Sequence, residues 1–490
     1  MIYLPFIVLI LSLVVKIIIL LHIPSFYVFD EIIITQISRL SLPQLLNTIR
    51  VEPHPPLFYL FLKMFPIENV LISKIIITLV SYLLFFLAFL YAFQRKIIQN
   101  HKLSLGLTIF VISFGFLEIT SRVKQDSVSL PILFIIAFIS LNMARLPSSL
   151  NIKELLTAHF LTLVLLFTGY IAYFQAMLVL LLATIYLHKF SVPRYLYLAQ
   201  ALVLSVYFSL YGYSQLVANS QRFTWVNDLY NSLLYAIRAY LGGYSGINFY
   251  VEALLIAFAF FFIKSLIKPP SINRQFFLNV VYLIVFLTIT AYVTKFFVTI
   301  RYISFLFLLI SLAVGWGITS SFTKKGYIYL FVAIVFTVNL TYYAVDIVSS
   351  TRGNETIESI LNRYSKTSKV GLLMDSTISP LIHTLYNQSN ENIVPVSVLF
   401  PRLLEERRID SILLMLDGNF KNKQFYEIKS LLSENNLESY VYLLTLSNKQ
   451  GYYDPERLVL RVLNDTCKSK EFIPLNYNNI IFVFRSCELE

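Results

Sequence analysis

Long apolar segments recur along the chain and restrict its fold more than any other feature. A helix needs about 20 mostly apolar residues to cross the hydrocarbon core of a bilayer. Such segments are predicted at about 2–23, 71–93, 103–119, 127–144, 153–169, 171–188, 195–213, 247–267, 276–294, 302–321 and 327–347. The sequence therefore predicts an α-helical polytopic membrane protein with about 11 transmembrane helices.

Composition supports this fold class and excludes others. Of the 490 residues, 57% are hydrophobic and 13% are charged, whereas a soluble chain carries roughly a quarter charged residues. Low charge with abundant large apolar residues also excludes an intrinsically disordered chain. The net charge of +12 indicates basic loops and contact with membrane lipids. No basic run interleaved with aromatic residues suggests a nucleic-acid partner.

The basic residues predict the orientation, because cytoplasmic loops are enriched in Lys and Arg. If the N-terminus is cytoplasmic, every inner connection carries at least two basic residues. These are Arg95, Lys96 and Lys102; Arg145 and Lys153; Lys189 and Arg194; Lys264, Lys268 and Arg274; and Lys324 and Lys325. An odd number of spans then places the C-terminal region outside the cytoplasm.

A change in composition near Ser349 predicts a membrane domain at 1–349 and a soluble extracytoplasmic domain at 350–490. Strand-like runs at 370–374, 412–416 and 480–484 alternate with helical stretches such as 356–364, which is typical of a small α/β domain. Cys467 and Cys487 flank the last strand-like run and can pair in an oxidising compartment. No cysteine or histidine spacing indicates a metal site.

Two outer loops are long, at 24–70 and 214–246. Residues 31–50 have helical spacing interrupted by Pro43, which predicts two short helices. The run Glu52-Pro53-His54-Pro55-Pro56 then predicts a rigid extended entry, since each proline removes a backbone donor and restrains the residue before it. Pro56 is well placed to start the next helix.

Polar residues at the predicted outer face are candidates for chemistry. Asp30 or Glu31 can act as a general base on a hydroxyl, or can simply mark the end of a span. His54, beside Glu52, can face a phosphate or accept a proton, or can be incidental to a rigid turn. The sequence leaves both pairs of alternatives open.

Two further outer segments carry bases. Arg122, Lys124 and Asp126 lie in a short turn between apolar spans, and helical spacing would put Arg122 and Asp126 on one face. Lys295, Arg301 and Tyr302 stand at the entry to a late span. Such bases can bind a phosphate; the alternatives are an internally paired loop for the turn and snorkelling for the late segment.

Lys16 lies inside the first predicted span with no acidic residue near it in sequence. It can face the bundle interior, which in membrane proteins usually accompanies function, or it can snorkel. The sequence does not decide between these. Clustered carboxylates near a phosphate could hold Mg²⁺ or Mn²⁺, but nothing in their spacing demands a metal.

The order of these segments resembles the GT-C superfamily of integral-membrane glycosyltransferases. The resemblance is carried by one span, the Asp30-Glu31 pair, an amphipathic loop, the run from His54 to Tyr59, a polar turn and the Arg301-Tyr302 entry. Within the superfamily the chain is similar to the family 39-like group, which includes protein O-mannosyltransferases and the aminoarabinose transferases that modify lipid A. The resemblance covers about residues 1–350.

The resemblance implies a GT-C fold and inverting transfer of a sugar from a polyprenyl-phosphate donor to a lipid, protein or glycan acceptor. It implies that Asp30 is the general base and that Glu31 positions the base or the acceptor. Donor contacts are implied for Glu52, His54, Arg122, Lys124, Asp126, Lys295, Arg301 and Tyr302. The turn reads Ser-Arg-Val-Lys-Gln-Asp where the family often has Ala-Arg-x-x-Ala, which leaves the role of Asp126 open.

Two other classes compete with the transferase. A transporter or lipid flippase would also be polytopic, although such proteins often have related halves and broken helices near the midplane, and the two halves of this sequence are not similar. A receptor-like or scaffolding membrane protein would use its tail for partners and would leave the polar residues inert. Substitution of Asp30 separates a transferase from a scaffold.

Overall fold

The computed structural model of the protein forms two compact units. It describes residues 1–22, 29–49, 55–65, 70–98, 101–145, 151–187, 193–212, 237–242, 249–267, 300–322, 324–365, 370–374, 393–395, 429–430, 432–433, 437–445, 458–476 and 479–488. The first unit comprises Met1–Pro24 and Glu52–Asp346, and the second comprises Ser25–Val51 and Ile347–Glu490.

Helices make up nearly all of the first unit. In chain order the helices with bounds among the described residues are α1 (Leu4–His22), α2 (Phe29–Arg39), α3 (Leu42–Ile49), α4 (Pro56–Lys63), α5 (Val70–Gln94), α6 (His101–Val111), α7 (Phe114–Ile119), α8 (Asp126–Arg145), α9 (Ile152–Leu166), α10 (Tyr170–Leu187), α11 (Pro193–Tyr207), α12 (Phe249–Ile267), α13 (Ile300–Ser321), α14 (Lys325–Ser365) and α15 (Leu458–Thr466). A π-helical turn, Phe208–Gly212, extends α11.

Six helices among the described residues are long and apolar enough to cross a membrane. They are Leu4–His22, Leu71–Gln94, Asp126–Ala144, Arg194–Gly212, Ile303–Ser321 and Lys325–Val345. Each coincides with a predicted span, and together they indicate an integral membrane protein. Helices α9, α10 and α12 occupy three more predicted spans. The predicted span 276–294 lies outside the described residues, so the total of 11 spans stays a prediction.

The prediction of one continuous helix at 103–119 is wrong. The segment is divided into α6 and α7, because the chain leaves the helical conformation at Ser113, whose φ of −68° and ψ of 147° are extended. The Ser113 side chain accepts a hydrogen bond from the Phe116 amide and caps α7. The side-chain amide of Asn339, on α14, donates a hydrogen bond to the Ile112 backbone carbonyl over 2.9 Å. These contacts satisfy backbone groups that the break would otherwise leave buried and unpaired.

The interior of the first unit is aromatic and closely packed. Phe85 and Phe116 have ring centroids 5.0 Å apart, as do Phe110 and Phe134, and these four rings join α5, α6, α7 and α8. Helices α6 and α13 approach backbone to backbone at Gly106. A Cβ atom there would lie 2.5 Å from the Leu312 Cα atom and 2.8 Å from the Ser311 carbonyl oxygen.

Helices α2 and α3 and a mixed sheet belong to the second unit. The two short helices confirm the interruption predicted at Pro43, which lies in the first turn of α3. The strands are β1 (Val370–Met374), β2 (Ile393–Pro395), β3 (Ser439–Thr445), β4 (Cys467–Asn476) and β5 (Asn479–Cys487), in the order β2-β1-β3-β5-β4. Strand β1 pairs in parallel with β2 and β3, and β5 pairs antiparallel with β3 and β4.

A disulfide joins Cys467 to Cys487, which face each other across β4 and β5. The bridge therefore staples the start of one strand to the end of the other. The predicted helix 356–364 is not separate, because it is the last part of the 41-residue helix α14. The predicted run 412–416 lies outside the described residues.

The contact at Gly106 gives a stability test. Replacement of Gly106 by Ala should destabilise the protein by about 1–3 kcal/mol, because the added methyl group meets backbone atoms that cannot rotate away. Thermal unfolding of the purified protein in detergent measures this. The matched control is Gly326→Ala, where a Cβ atom meets nothing within 4 Å. Equal unfolding temperatures for the two variants would contradict the close packing of α6 on α13.

Candidate functional site

The turn between α7 and α8, residues 120–125, is a compact polar structure. Side-chain hydroxyls stabilise its backbone by hydrogen bonds. The Ser127 hydroxyl contacts the backbone carbonyls of Ile119 and Arg122, both at 2.6 Å. Ser121 adds a hydrogen bond from its hydroxyl to the Glu118 carbonyl at 2.8 Å. We call the end of the first unit that carries this turn the turn end.

The charged side chains of the turn end are largely buried. Glu118 and Arg122 form an ion pair in which both partners are mostly withdrawn from the surface. Lys124 is 2% exposed. Asp126 is the first residue of α8, where the positive end of the helix dipole favours a carboxylate.

The prediction that Arg122 and Asp126 share a helix face is wrong. Residues 120–125 are not helical, so the i, i+4 geometry does not exist between them. Arg122 instead pairs backward with Glu118 at the end of α7. Part of the turn is thus internally paired, which was one of the two alternatives that the sequence left open.

Lys16 faces the bundle interior and contacts this turn. Its ammonium donates a hydrogen bond to the Thr120 hydroxyl, and its nitrogen lies 5.1 Å from the Tyr82 ring centroid, 5.8 Å from that of Phe116 and 5.6 Å from that of Tyr343. The side chain is fully buried. Snorkelling is therefore excluded for Lys16, because its side-chain nitrogen stays among aromatic faces in the interior.

No carboxylate pairs with Lys16 within the described part of the chain. The hydroxyl and the three aromatic faces offset only part of the cost of burying an ammonium group. The basic nitrogen of Lys16 therefore lies in direct contact with the first residue of the turn, Thr120. In the sequence, the signal for this contact was a single lysine in an apolar segment. Its partner Thr120 could not be predicted from the sequence, because it lies 104 residues away.

The chain that follows the proline-rich run lies beside the turn end. Helix α4 begins at Pro56, as predicted, with Pro55 as its N-cap. The Leu57 amide donates to the Phe167 carbonyl over 2.8 Å. A Cβ atom at Gly169 would contact the side chains of Ser129 and Gln125. The segment 167–169 thus connects the start of α4 to the polar turn.

A second charged pair lies near α7. Arg238, in the helical segment 237–242, forms a 2.8 Å ion pair with Glu252 in the first turn of α12. Tyr240 of the same segment packs directly on Gly115. The sequence placed Arg238 in the long outer loop 214–246, a candidate substrate-facing flap, and Glu252 within the predicted span 247–267. Lys74, on α5, is another buried charge that the sequence analysis did not single out.

The other predicted site residues are described only in part. Glu31 lies on α2 in the second unit and is fully buried. Asp30 belongs to the same helix, and Arg301 and Tyr302 to the first turn of α13, but their side chains lie outside the described residues. Glu52, His54 and Lys295 lie outside them entirely. Of the predicted set, the structure brings together Arg122, Lys124 and Asp126 and adds Lys16 to them.

No group of three or more histidine, cysteine or acidic residues that could hold a metal ion occurs among the described residues. The turn end holds three basic side chains, Lys16, Arg122 and Lys124, and two carboxylates, Glu118 and Asp126, and Glu118 is already paired with Arg122. Their chemistry suits an anion more than a metal ion.

No protein-family model matches the chain, and no curated protein matches it. Among solved structures, the chain is similar to the crystal structure of ArnT from Cupriavidus metallidurans in the apo state. The identity is 12% and the TM-score is 0.36, over 88% of this chain and 87% of that chain. A score this low does not establish a common fold, so the site is interpreted from its own residues.

The buried ion pair of the turn predicts strong non-additivity in a double-mutant cycle. Arg122→Gln should destabilise the protein by about 3 kcal/mol, because it removes the guanidinium that pairs with the buried Glu118 carboxylate. The double variant Glu118→Gln with Arg122→Gln should recover most of that loss, since two neutral amides replace the charges. Thermal unfolding of the single and double variants measures the coupling. Additive losses would show that the two side chains do not depend on each other.

Proposed function

We propose that the protein is an inverting glycosyltransferase of the GT-C type. It would move a sugar from a polyprenyl-phosphate-linked donor to an acceptor at the outer face of the membrane. The observation that carries this proposal is the turn end. There, helices of membrane-spanning character hold two buried lysines, Lys16 and Lys124, and the Arg122–Glu118 ion pair around one polar turn.

A lipid-linked phosphate is the anion that suits this position. Its phosphate lies at the membrane interface while its polyprenyl chain stays in the hydrocarbon region. Fixed cations around the turn would stabilise the charge that develops on the phosphate as it leaves. Buried positions strengthen such interactions, because little water remains to screen them.

The sugar-transfer step needs one base and correct positioning. Asp30 would remove the proton from the acceptor hydroxyl, whose oxygen then attacks the anomeric carbon. The bond between that carbon and the phosphate oxygen breaks, and its electron pair stays on the lipid phosphate. Glu31 would position the base or the acceptor. A single catalytic carboxylate fits inversion better than the closely paired carboxylates used for retention.

The remaining donor contacts are assigned through the sequence resemblance alone. Glu52 and His54 would lie near the donor phosphate, as would Lys295, Arg301 and Tyr302. Lys124 and Asp126 would complete the donor site from the polar turn. The acceptor would be a lipid, a protein or a glycan. Carboxylates near the donor phosphate would be the ligands of a divalent ion such as Mg²⁺ or Mn²⁺.

Sugar transfer with a neutralised base tests the proposal. Membranes that carry the wild type should transfer label from one member of a panel of radiolabelled polyprenyl-phosphate monosaccharides. Asp30→Asn should abolish this transfer, because the amide cannot accept the proton. Asp465→Asn, at an exposed position on α15, is the matched control and should keep wild-type activity. A folded wild type that transfers no sugar from any donor would contradict the transferase.

A second test addresses the cations of the turn. Lys124→Gln should lower kcat by about 10²–10³, as is typical when one group that stabilises a developing anion is removed. Lys153→Gln, an exposed lysine at the first turn of α9, is the matched control. Initial rates at saturating donor measure the effect. An unchanged kcat in Lys124→Gln would remove this lysine from the donor site.

One observation favours a transporter or lipid flippase as the second candidate. The broken helix formed by α6 and α7 is a feature that transporters use to expose backbone groups to a substrate. Here the Ile112 carbonyl at the break is already bonded to Asn339. Lipid or solute flux in proteoliposomes would become the next assay if no donor supports transfer.

A further inference from the structure

Three helices of the first unit begin at one end, opposite the turn end. Helix α1 starts there, and Lys16 lies about 18 Å further along it. The Ser104 hydroxyl of α6 donates to the carbonyls of Met1, at 2.6 Å, and Ile2, at 3.1 Å. The Met1 ammonium donates to the Tyr329 hydroxyl of α14 over 3.2 Å. The N-terminus thus lies between the starts of α6 and α14.

Positive charge accumulates at this end, which we call the basic end and define by Met1, His101, Lys102 and Lys325. Partial burial lowers the pKa of the His101 imidazole, and the charges of Lys102, Lys325 and the Met1 ammonium lower it further. The geometry agrees, because the hydrogen bonds of Met1 with Ser104 and Tyr329 bring the N-terminal ammonium to the first turns of α6 and α14, which carry Lys102 and Lys325. The starts of α6 and α14 add the partial positive charge of helix N-termini.

Lys102 is held in place by an aromatic ring. Its ammonium lies 3.9 Å from the centroid of Trp316, near the end of α13. Trp side chains are favoured at the interface between hydrocarbon and headgroups. The ring therefore holds the Lys102 ammonium at the end of α13, beside the start of α6.

Exposed apolar and aromatic side chains surround the basic end. Tyr3 is 64% exposed, Tyr327 58% and Leu330 58%. Such side chains contact acyl chains and the headgroup region, whereas a soluble anion would leave them without a role. The surface combines a cluster of cations with an apolar border, which matches the two chemical parts of a phospholipid.

We infer that the basic end binds the phosphate of an anionic phospholipid, with the acyl chains along the exposed faces of α1 and α14. The Met1 ammonium, Lys102 and Lys325 would surround the headgroup phosphate. The site lies at the end opposite the candidate transferase site and does not depend on the proposed function. It would tie the starts of three helices to one leaflet of the bilayer.

Lipid retention by the full-length protein tests this inference. The protein, purified in a mild detergent, is mixed with phosphatidylglycerol or phosphatidylcholine of the same acyl chains, and bound lipid is counted by native mass spectrometry. Phosphatidylglycerol should be retained preferentially and should raise the unfolding temperature. Lys325→Gln should weaken its binding about fivefold, and Lys102→Gln with Lys325→Gln should weaken it more.

The matched control is Lys264→Gln. Like Lys102, Lys264 is partly buried and lies near an aromatic ring, with its nitrogen 5.9 Å from the Phe260 centroid. Unlike Lys102, it belongs to the last turn of α12. The Lys264→Gln variant should bind phosphatidylglycerol as tightly as the wild type does. Lys325 is exposed, so its single variant keeps the test valid if the double variant does not fold.

Three results would overturn the inference. The first is equal retention of phosphatidylglycerol and phosphatidylcholine. The second is an equal loss of binding in Lys264→Gln and Lys325→Gln. The third is stabilisation by inorganic phosphate alone that matches the effect of phosphatidylglycerol, which would assign the basic end to a free anion.

Discussion

The structure of the first unit depends on one constraint: inside a bilayer, every polar group must find its partner within the protein. Most of the chain meets this constraint with continuous helices. The break between α6 and α7 meets it with side chains, because Ser113 caps one helix and Asn339 satisfies the last carbonyl of the other. A helix can be interrupted at this depth only where such partners exist.

The need for a partner inside the protein is stronger for charged side chains than for neutral polar groups, because burying an unpaired charge costs more. Arg122 and Glu118 neutralise each other, and Arg238 and Glu252 do the same nearby. Lys16 has a hydroxyl and three aromatic faces in place of a carboxylate. A buried lysine with only these partners costs stability, and its nitrogen lies against the polar turn at Thr120.

The two ends of the first unit differ in how they hold their cations. At the turn end the cations are buried and the surrounding backbone is bonded to itself, which provides fixed positions for chemistry. At the basic end the cations lie near the surface among exposed aromatic and aliphatic side chains, which suits a lipid. The separation of about 18 Å along α1 keeps the two environments distinct.

The sequence by itself determined the fold class, the positions of most spans, the pair of short helices around Pro43 and the start of α4 at Pro56. These features depend on local composition and on the restricted backbone of proline, so they can be predicted from the sequence alone. Six spans found among the described residues follow directly from apolar length.

Tertiary structure decided the features that depend on contacts distant in sequence. The division of the span 103–119 needs Asn339, which is 227 residues away from its partner Ile112. The contact of Lys16 with Thr120 crosses 104 residues. Arg122 pairs with Glu118 and not with Asp126, because the backbone between the last two is a turn. No local pattern encodes these choices, since each is set by which helices pack together.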